Sequence, residues 1–170
     1  TVPTFNTSLI SNAASGEPGV IAPGQLISIY GVALGPTDGR VATGNTLPTT
    51  LGGTTVNING TAAPILYASG LRADVQVPFN LQPGTVANLE IRTESGGTSQ
   101  SVQVEVVPAF AGLYTSQQSG RGQVAALNQD GSVNSSANPA ERGSYISLYA
   151  TGLGAVDPQG TAGQPSSTDP

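Results

Sequence analysis

The chain has 170 residues with no Cys, His, Met, Trp or Lys, only 9% of them are charged, and the net charge is -5. It can therefore form no disulfide, thiol nucleophile, Schiff base or lysine isopeptide bond, and a zinc or copper site has almost no ligands. An acidic chain is a poor match to nucleic acid, and no segment approaches the ~20 apolar residues of a membrane helix. We expect no metal, no cofactor, no nucleic-acid partner and no insertion into a membrane.

Short runs in which apolar and polar residues alternate, separated by Gly, Pro and Asn, predict an all-β fold. Asn59-Gly60 predicts a two-residue hairpin turn, and Pro64 predicts a sheet edge or a bulge. The spacing of the runs predicts an immunoglobulin-like antiparallel β-sandwich. The runs are Leu26–Tyr30, Thr54–Asn59, Ala62–Ala68, Asp74–Phe79, Val86–Thr93 and Ser101–Val107.

A further hairpin is expected where Gln123–Leu127 meets Ser132–Val133. Its turn, Asn128–Asn134, spaces oxygen side chains as a calcium loop does, but it holds one carboxylate and lacks the bidentate Glu of such a loop. A hairpin turn explains the same residues and is the interpretation we favour, with a calcium site as the alternative. Stretches rich in Pro, Gly, Ser and Thr predict loops at 1–23, 36–50 and 155–170.

The sequence contains an internal repeat at an offset of 119 residues (143 − 24). Residues 24–38 read GQLISIYGVALGPTD and residues 143–157 read GSYISLYATGLGAVD, with seven identical residues in fifteen. The match reflects either the common pattern of strands and turns in a chain of few residue types or the opening of two immunoglobulin-like modules. If it opens two modules, Gly35 and Gly154 lie in the turn after the strand, where a positive φ or a close backbone approach is needed.

The second copy of the repeat lacks the strands that follow the first. Five further strand runs follow Tyr30, whereas only loop-like sequence follows Tyr149. A lone strand cannot bury Ile146 and Leu148, and its backbone groups stay unpaired. We expect either further strands after residue 170 or completion by strand addition, from its own first module or from a neighbouring subunit. Head-to-tail addition of this kind does not close and generates a filament.

These observations predict three segments along the chain. Residues 1–23 form an N-terminal extension that can serve as an intersubunit strand, and residues 24–107 form the immunoglobulin-like sandwich. Residues 108–170 form a β-hairpin and an incomplete second module. The residues expected at a subunit interface are Phe5, Ile10, Tyr30, Tyr145, Ile146, Leu148 and Tyr149.

The sequence offers no catalytic constellation. A Ser or Thr nucleophile needs a base, and without His or Lys only a carboxylate could serve. There is no Gly-x-Ser-x-Gly motif, and Glu90 and Glu105 alternate with apolar residues as solvent-facing strand positions do. We predict no catalytic residue and no enzymatic activity.

Four segments form an ordered series of motifs over residues 5–155: FNTSLISNAASGEPGVIAPGQLISIYGVALGP, LPTTLGGTTVNINGTAAPILYAS, ADVQVPF and GQVAALNQDGSVNSSANPAERGSYISLYATGLG. This series resembles the uncharacterised C-terminal domain of secreted Acidobacteria proteins of the Solibacter type. The resemblance implies a secreted or surface immunoglobulin-like β-sandwich attached to larger proteins, and it implies no catalytic residues. The chain departs from the family by stopping inside the second module, where members continue with further strands.

We therefore predict an extracellular structural or interaction subunit, secreted or at the cell surface, that assembles into a filament by strand complementation. Its partner is a second copy of the chain or a neighbouring domain of the same protein. One alternative is a carbohydrate-binding or adhesion module of a larger secreted protein, with Tyr30 and Tyr67 as the residues to test. The other alternative is an inert spacer.

Overall fold

Two β-sheets pack face to face in the computed structural model of the chain, which describes residues 1–157 and 159–165. The predicted all-β fold is confirmed, and immunoglobulin-like topology stays a prediction. A short 3-10 turn spans Thr7–Leu9. The strands of the sandwich are β1 (Ile10–Asn12), β2 (Val20–Ile21), β3 (Leu26–Tyr30), β4 (Arg40–Val41), β5 (Thr54–Ile58), β6 (Thr61–Ala62), β7 (Ile65–Ala68), β8 (Arg72–Gln76), β9 (Val86–Thr93), β10 (Gly97–Thr98) and β11 (Val102–Val106).

The two sheets differ in strand order. The first sheet has the order β1-β3-β8-β7-β4, and each of these pairs is antiparallel. The second sheet has the order β2-β11-β9-β5-β6, with β10 also paired to β9. The short edge pair β2–β11 is parallel, whereas the other pairs of the second sheet are antiparallel, as predicted.

Alternation along the strands builds the core between the two sheets. In β9 of the second sheet, Ala87, Leu89 and Ile91 are buried, and the residues between them are exposed or half-buried. They form one cluster with Ile27 and Ile29 from β3 of the first sheet. Full burial of a side chain as large as leucine or isoleucine stabilises the folded state by about 1.5–3 kcal/mol. The strands therefore pack with their apolar faces toward one another in this core layer.

The chain crosses from the second sheet to the first at Pro64. The predicted hairpin before this point is confirmed, because Asn59 and Gly60, with φ of 50° and 77°, join β5 to β6. The predicted single strand Ala62–Ala68 is wrong, because β6 ends in the second sheet before Pro64 and β7 begins after it in the first. Proline has no backbone N–H to donate to a ladder, which explains the break.

The N-terminal segment is part of the sandwich, so the predicted extension 1–23 is wrong. β1 pairs with β3 at one edge of the first sheet, and β2 pairs with β11 at one edge of the second. Phe5 and Ile10, expected at a subunit interface, are instead buried in the core, with exposed fractions of 8% and 0%. Ser11 and Asn12 are buried as well, so this segment shows no alternation from which a strand could be predicted.

Four short strands lie beyond the sandwich: β12 (Gly112–Leu113), β13 (Ala126–Asn128), β14 (Ile146–Leu148) and β15 (Ala150–Thr151). β12 pairs with β15 and β13 pairs with β14, both antiparallel. The predicted hairpin is present in shortened form, because Leu127 bridges Val133. Thr151 Oγ1 accepts a hydrogen bond from the backbone N of Leu26 at 2.7 Å, which ties the C-terminal strands to β3.

Asn12 is a second tie between the sandwich and the C-terminal part of the chain. Its side chain is fully buried, and Nδ2 donates to the carbonyl oxygen of Phe110 at 2.7 Å. Its Oδ1 accepts from the backbone N of Ala14 and of Ser15 at 2.8 and 3.1 Å. One side chain thus satisfies three backbone groups.

The repeat is visible in the fold and extends beyond the matching sequence. β13 pairs with β14 in the register in which β1 pairs with β3, centred on the equivalent residues Ser28 and Ser147. Yet β1 reads ISN and β13 reads ALN, so these strands share only their Asn. This common pairing supports two modules over a chance pattern of strands and turns.

The turn after each copy of the repeat contains a close backbone approach, as predicted. A Cβ at Gly35 would lie 2.7 Å from Thr54 Oγ1. A Cβ at Gly154, whose φ is 90°, would collide with the carbonyl oxygen of Pro108. Both positions therefore favour glycine.

Replacing Asn12 with Ala should destabilise the protein. Each buried group left unpaired costs about 1–3 kcal/mol, and three lose their partner, so we expect Asn12→Ala to lower the free energy of unfolding by at least about 3 kcal/mol. Urea denaturation followed by circular dichroism measures the change. Asn45→Ala, at an exposed loop position, is the control and should change stability by less than about 0.5 kcal/mol. Equal effects of the two substitutions would contradict the role given to Asn12.

Candidate functional site

The C-terminal ribbon, defined as Tyr145–Tyr149, exposes apolar residues whose first copies are buried. Ile27 and Ile29 of β3 are fully buried, whereas the equivalent Ile146 and Leu148 of β14 are 48% and 49% exposed. All three residues of β14 are exposed, so neither face of this strand is covered. The ribbon therefore lacks the second layer that covers β3.

β14 also has an open edge. In the first copy, β3 pairs with β1 on one side and with β8 on the other. Among the residues that the structure describes, β14 pairs with β13 alone. The turn that follows shows the same loss of cover, because Leu34 is fully buried and its equivalent Leu153 is 69% exposed. An open edge with exposed apolar side chains can accept another strand.

Four of the seven residues predicted at a subunit interface lie together in the ribbon, and each is exposed: Tyr145, Ile146, Leu148 and Tyr149. Tyr30 is exposed on β3, at the second surface described next, and Phe5 and Ile10 are in the core. The structure therefore separates the predicted set into three places. The interface role of the four ribbon residues stays a prediction.

The second surface, here called the tyrosine cleft, lies between the outer face of the first sheet and the segment that follows β12. Its volume is about 480 Å³, within the range of about 300–1,000 Å³ typical of small-molecule sites. β3, β7 and β8 supply the floor, and the segment after β12 supplies a wall. The cleft is lined by Leu26, Leu66, Arg72, Asp74, Tyr114 and Gln118, among others.

Arg72 is held in the cleft by three neighbours. Its Nε donates to Asp74 Oδ1 at 2.7 Å, and its Cζ lies over the rings of Tyr30 and Tyr67, 5.7 and 5.8 Å from their centroids. Cation–π contacts of this kind contribute about 0.5–1 kcal/mol each at exposed sites. The hydrogen bond to Asp74 raises the pKa of Arg72, although partial burial opposes the rise. The guanidinium group is thus fixed in position and charged.

Strand geometry brings these residues together. Arg72 and Asp74 are two residues apart on β8 and therefore share its outer face. The register places Tyr30 opposite Arg72, and a bulge in β7 between Ile65 and Tyr67 places Tyr67 opposite Asp74. Sequence analysis missed Arg72 and Asp74, although their Arg-x-Asp spacing on a strand was an available signal.

The turn Asn128–Asn134, considered above as a calcium loop, is hydrogen-bonded to itself. Asp130 Oδ1 accepts from the backbone N and the Oγ of Ser132 at 2.9 and 2.6 Å, and these bonds lower the pKa of Asp130. Asn128 Oδ1 accepts from Asn134 Nδ2 at 2.8 Å. A turn accounts for this spacing of oxygen atoms. No group of three or more His, Cys, Asp or Glu side chains that could hold a metal occurs within 1–157 and 159–165.

Neither a protein-family model nor a curated protein matches the chain. The resemblance to the Acidobacteria domain therefore stays a prediction. In the described part of the chain, no helix is both long enough and apolar enough to cross a membrane.

Tyr114 should make the stability of the protein depend on pH in the alkaline range. Burial raises the pKa of Tyr114 above its ordinary value of 10.0, and the Asp74 carboxylate adds to the rise. The folded state holds this proton more tightly than the unfolded chain. Its contribution to stability is therefore fully present below the unfolded pKa and is lost as the pH rises through the folded pKa.

Urea denaturation from about pH 8 to about pH 11.5 measures this loss, which Tyr114→Phe should reduce because Phe carries no titrating proton. Tyr145→Phe is the matched control, since Tyr145 is 80% exposed, and it should leave the pH profile unchanged. Identical profiles for the unmodified protein and Tyr114→Phe would contradict the assignment.

Proposed function

We propose that the chain is an extracellular structural subunit that self-associates by β-strand addition at the open edge of β14. The proposal is supported by the difference between the two copies of the repeat. The same strand pattern is covered on its apolar face and paired at both edges in the sandwich, but it is exposed and paired at one edge in the ribbon. Because the ribbon carries the same kinds of side chain and backbone group as β3, an apolar layer and a second strand partner would stabilise it as they stabilise β3.

The first copy indicates which backbone atoms would receive the added strand. Gly31 N donates to the carbonyl oxygen of Leu71, just before β8, at 3.1 Å. Backbone groups alternate in direction along a strand, so the odd-numbered residues of β3 direct theirs toward β8. The equivalent positions in β14 are Ile146 and Leu148. Their N–H and C=O groups then lie at the open edge.

A second copy of the chain fits this edge. Two β14 strands that pair antiparallel about Ser147 place Ile146 of each copy opposite Leu148 of the other, so apolar residues meet across the new ladder. Such a two-fold pair closes as a dimer. Addition of β14 to a different edge, such as the exposed edge strand β4 of the first sheet, instead extends into the filament expected from the sequence.

The sequence supports the remaining parts of the proposal. The chain has few charges, and its resemblance to a domain of secreted proteins favours a position outside the cell or at its surface. Strand addition requires no cofactor, disulfide or isopeptide bond, which agrees with the absence of Cys and Lys. The proposal gives the chain a binding role and no catalytic step.

Charges placed on the ribbon should abolish self-association. We expect the unmodified protein to form dimers or filaments as its concentration rises, and the double variant Ile146→Lys/Leu148→Lys to stay monomeric, because like charges would oppose each other across the added edge. Light scattering after size-exclusion chromatography measures the mass, and negative-stain microscopy shows whether the larger species are fibrous.

Leu71→Lys/Val86→Lys is the matched control, because it adds the same charge at positions that are 68% and 53% exposed outside the ribbon. It should self-associate like the unmodified protein, and circular dichroism should show all three proteins folded. A protein that is monomeric at every concentration would support the inert spacer and overturn the proposal. Equal association of the two double variants would exclude the ribbon as the contact.

A further inference from the structure

The tyrosine cleft concentrates residue types that are rare in this chain. Tyr114, Arg72 and Asp74 line the cleft, and Tyr30 and Tyr67, whose rings lie under the Arg72 guanidinium, flank it, so three of the five tyrosines lie in or beside it. The bond between Arg72 and Asp74 is the only ion pair among the described residues. Strand addition at β14 uses none of these side chains. Strand addition therefore does not explain why these residues lie together, and we infer a separate function for this surface.

Both sides of the cleft are fixed before any ligand binds. The floor is the paired sheet face, where Asp74 is only 15% exposed and Arg72 is fixed by its ion pair and two rings. The wall is fixed by Thr115, whose Oγ1 accepts from the backbone N of Ser119 and of Gly120 at 3.1 Å each. A site of fixed shape loses little conformational entropy when it binds.

Several polar groups in and beside the cleft have no partner within the described residues. The hydrogen bond of the ion pair uses Arg72 Nε and Asp74 Oδ1, which leaves two guanidinium nitrogens and one carboxylate oxygen. The amide of Gln118 and the hydroxyl of Tyr114, which also line the cleft, form no hydrogen bond among residues 1–157 and 159–165 either. Donors and acceptors therefore surround the Tyr114 ring.

We propose that the tyrosine cleft binds a neutral carbohydrate through a pyranose unit. A pyranose has an apolar C–H face that can pack on a tyrosine ring, and hydroxyls that both donate and accept. A carboxylate, a guanidinium and an amide can each bind neighbouring hydroxyls. The charges of Arg72 and Asp74 cancel, and the net charge of -5 disfavours anions, so a neutral ligand fits better than a charged one.

An array of neutral and anionic oligosaccharides tests the proposal, and isothermal titration calorimetry with the strongest neutral binder gives the affinity. The chain has no Trp, so quenching of tyrosine fluorescence gives a second measure of binding at the rings. Loss of a hydrogen bond to a charged group, or of a ring platform, should weaken binding by about tenfold or more. We expect such losses for Asp74→Asn and for Tyr114→Ala, while Tyr114→Phe keeps most of the affinity.

Tyr145→Ala is the control, because it removes a tyrosine that belongs to the ribbon, and it should leave the affinity unchanged. The ribbon variant Ile146→Lys/Leu148→Lys should also bind sugar normally, so failure of strand addition and failure of this proposal are distinguishable. Binding of anionic glycans alone, or no binding on the array, would overturn the proposal. Unchanged affinity in folded Asp74→Asn and Tyr114→Ala would overturn it as well.

Discussion

The pairing of β1 with β3 is the contact on which the rest of the structure depends. It brings Ile10 beside Ile29 in the core, and it places Asn12 where its side chain can satisfy the backbone of the C-terminal segment. The backbone N of Leu26, at the start of β3, donates a hydrogen bond to Thr151 Oγ1 and so also holds the C-terminal segment. The first sheet and the attachment of the C-terminal strands therefore rest on one short antiparallel ladder.

The same ladder recurs as β13 and β14, but its surroundings differ. Ile29 loses all of its exposed area because the second sheet covers it and β8 pairs beyond it, whereas Leu148 keeps about half of its area. Register alone thus does not create a core. An apolar strand gains its stability from the layer above it and from a neighbour at each edge, so the uncovered copy is the part of the molecule with most to gain from a partner.

Alternation predicted the strands that bury one face, such as β9 and β11, because the period of two is set by local geometry. It failed at β1, where buried Ser11 and Asn12 hide the period, and at Pro64, where the missing N–H splits a continuous apolar run between two sheets. The ribbon could be predicted from the repeat, since its residues can be matched one by one with those of the first copy in the sequence. The cleft could not be predicted from the sequence, because only the register between β3 and β8 brings Tyr30 opposite Arg72.

The ribbon and the cleft are joined by a short path of backbone hydrogen bonds. Tyr114 N, on the wall of the cleft, donates to the carbonyl oxygen of Tyr149 at 2.9 Å, and Ala125 N donates to the carbonyl oxygen of Tyr114 at 2.8 Å. These bonds tie the wall to the backbone of the ribbon within one subunit, and together with the bonds to Thr115 they hold it in place. The cleft therefore has its shape in the single subunit, and strand addition at the open edge of β14 leaves these hydrogen bonds intact.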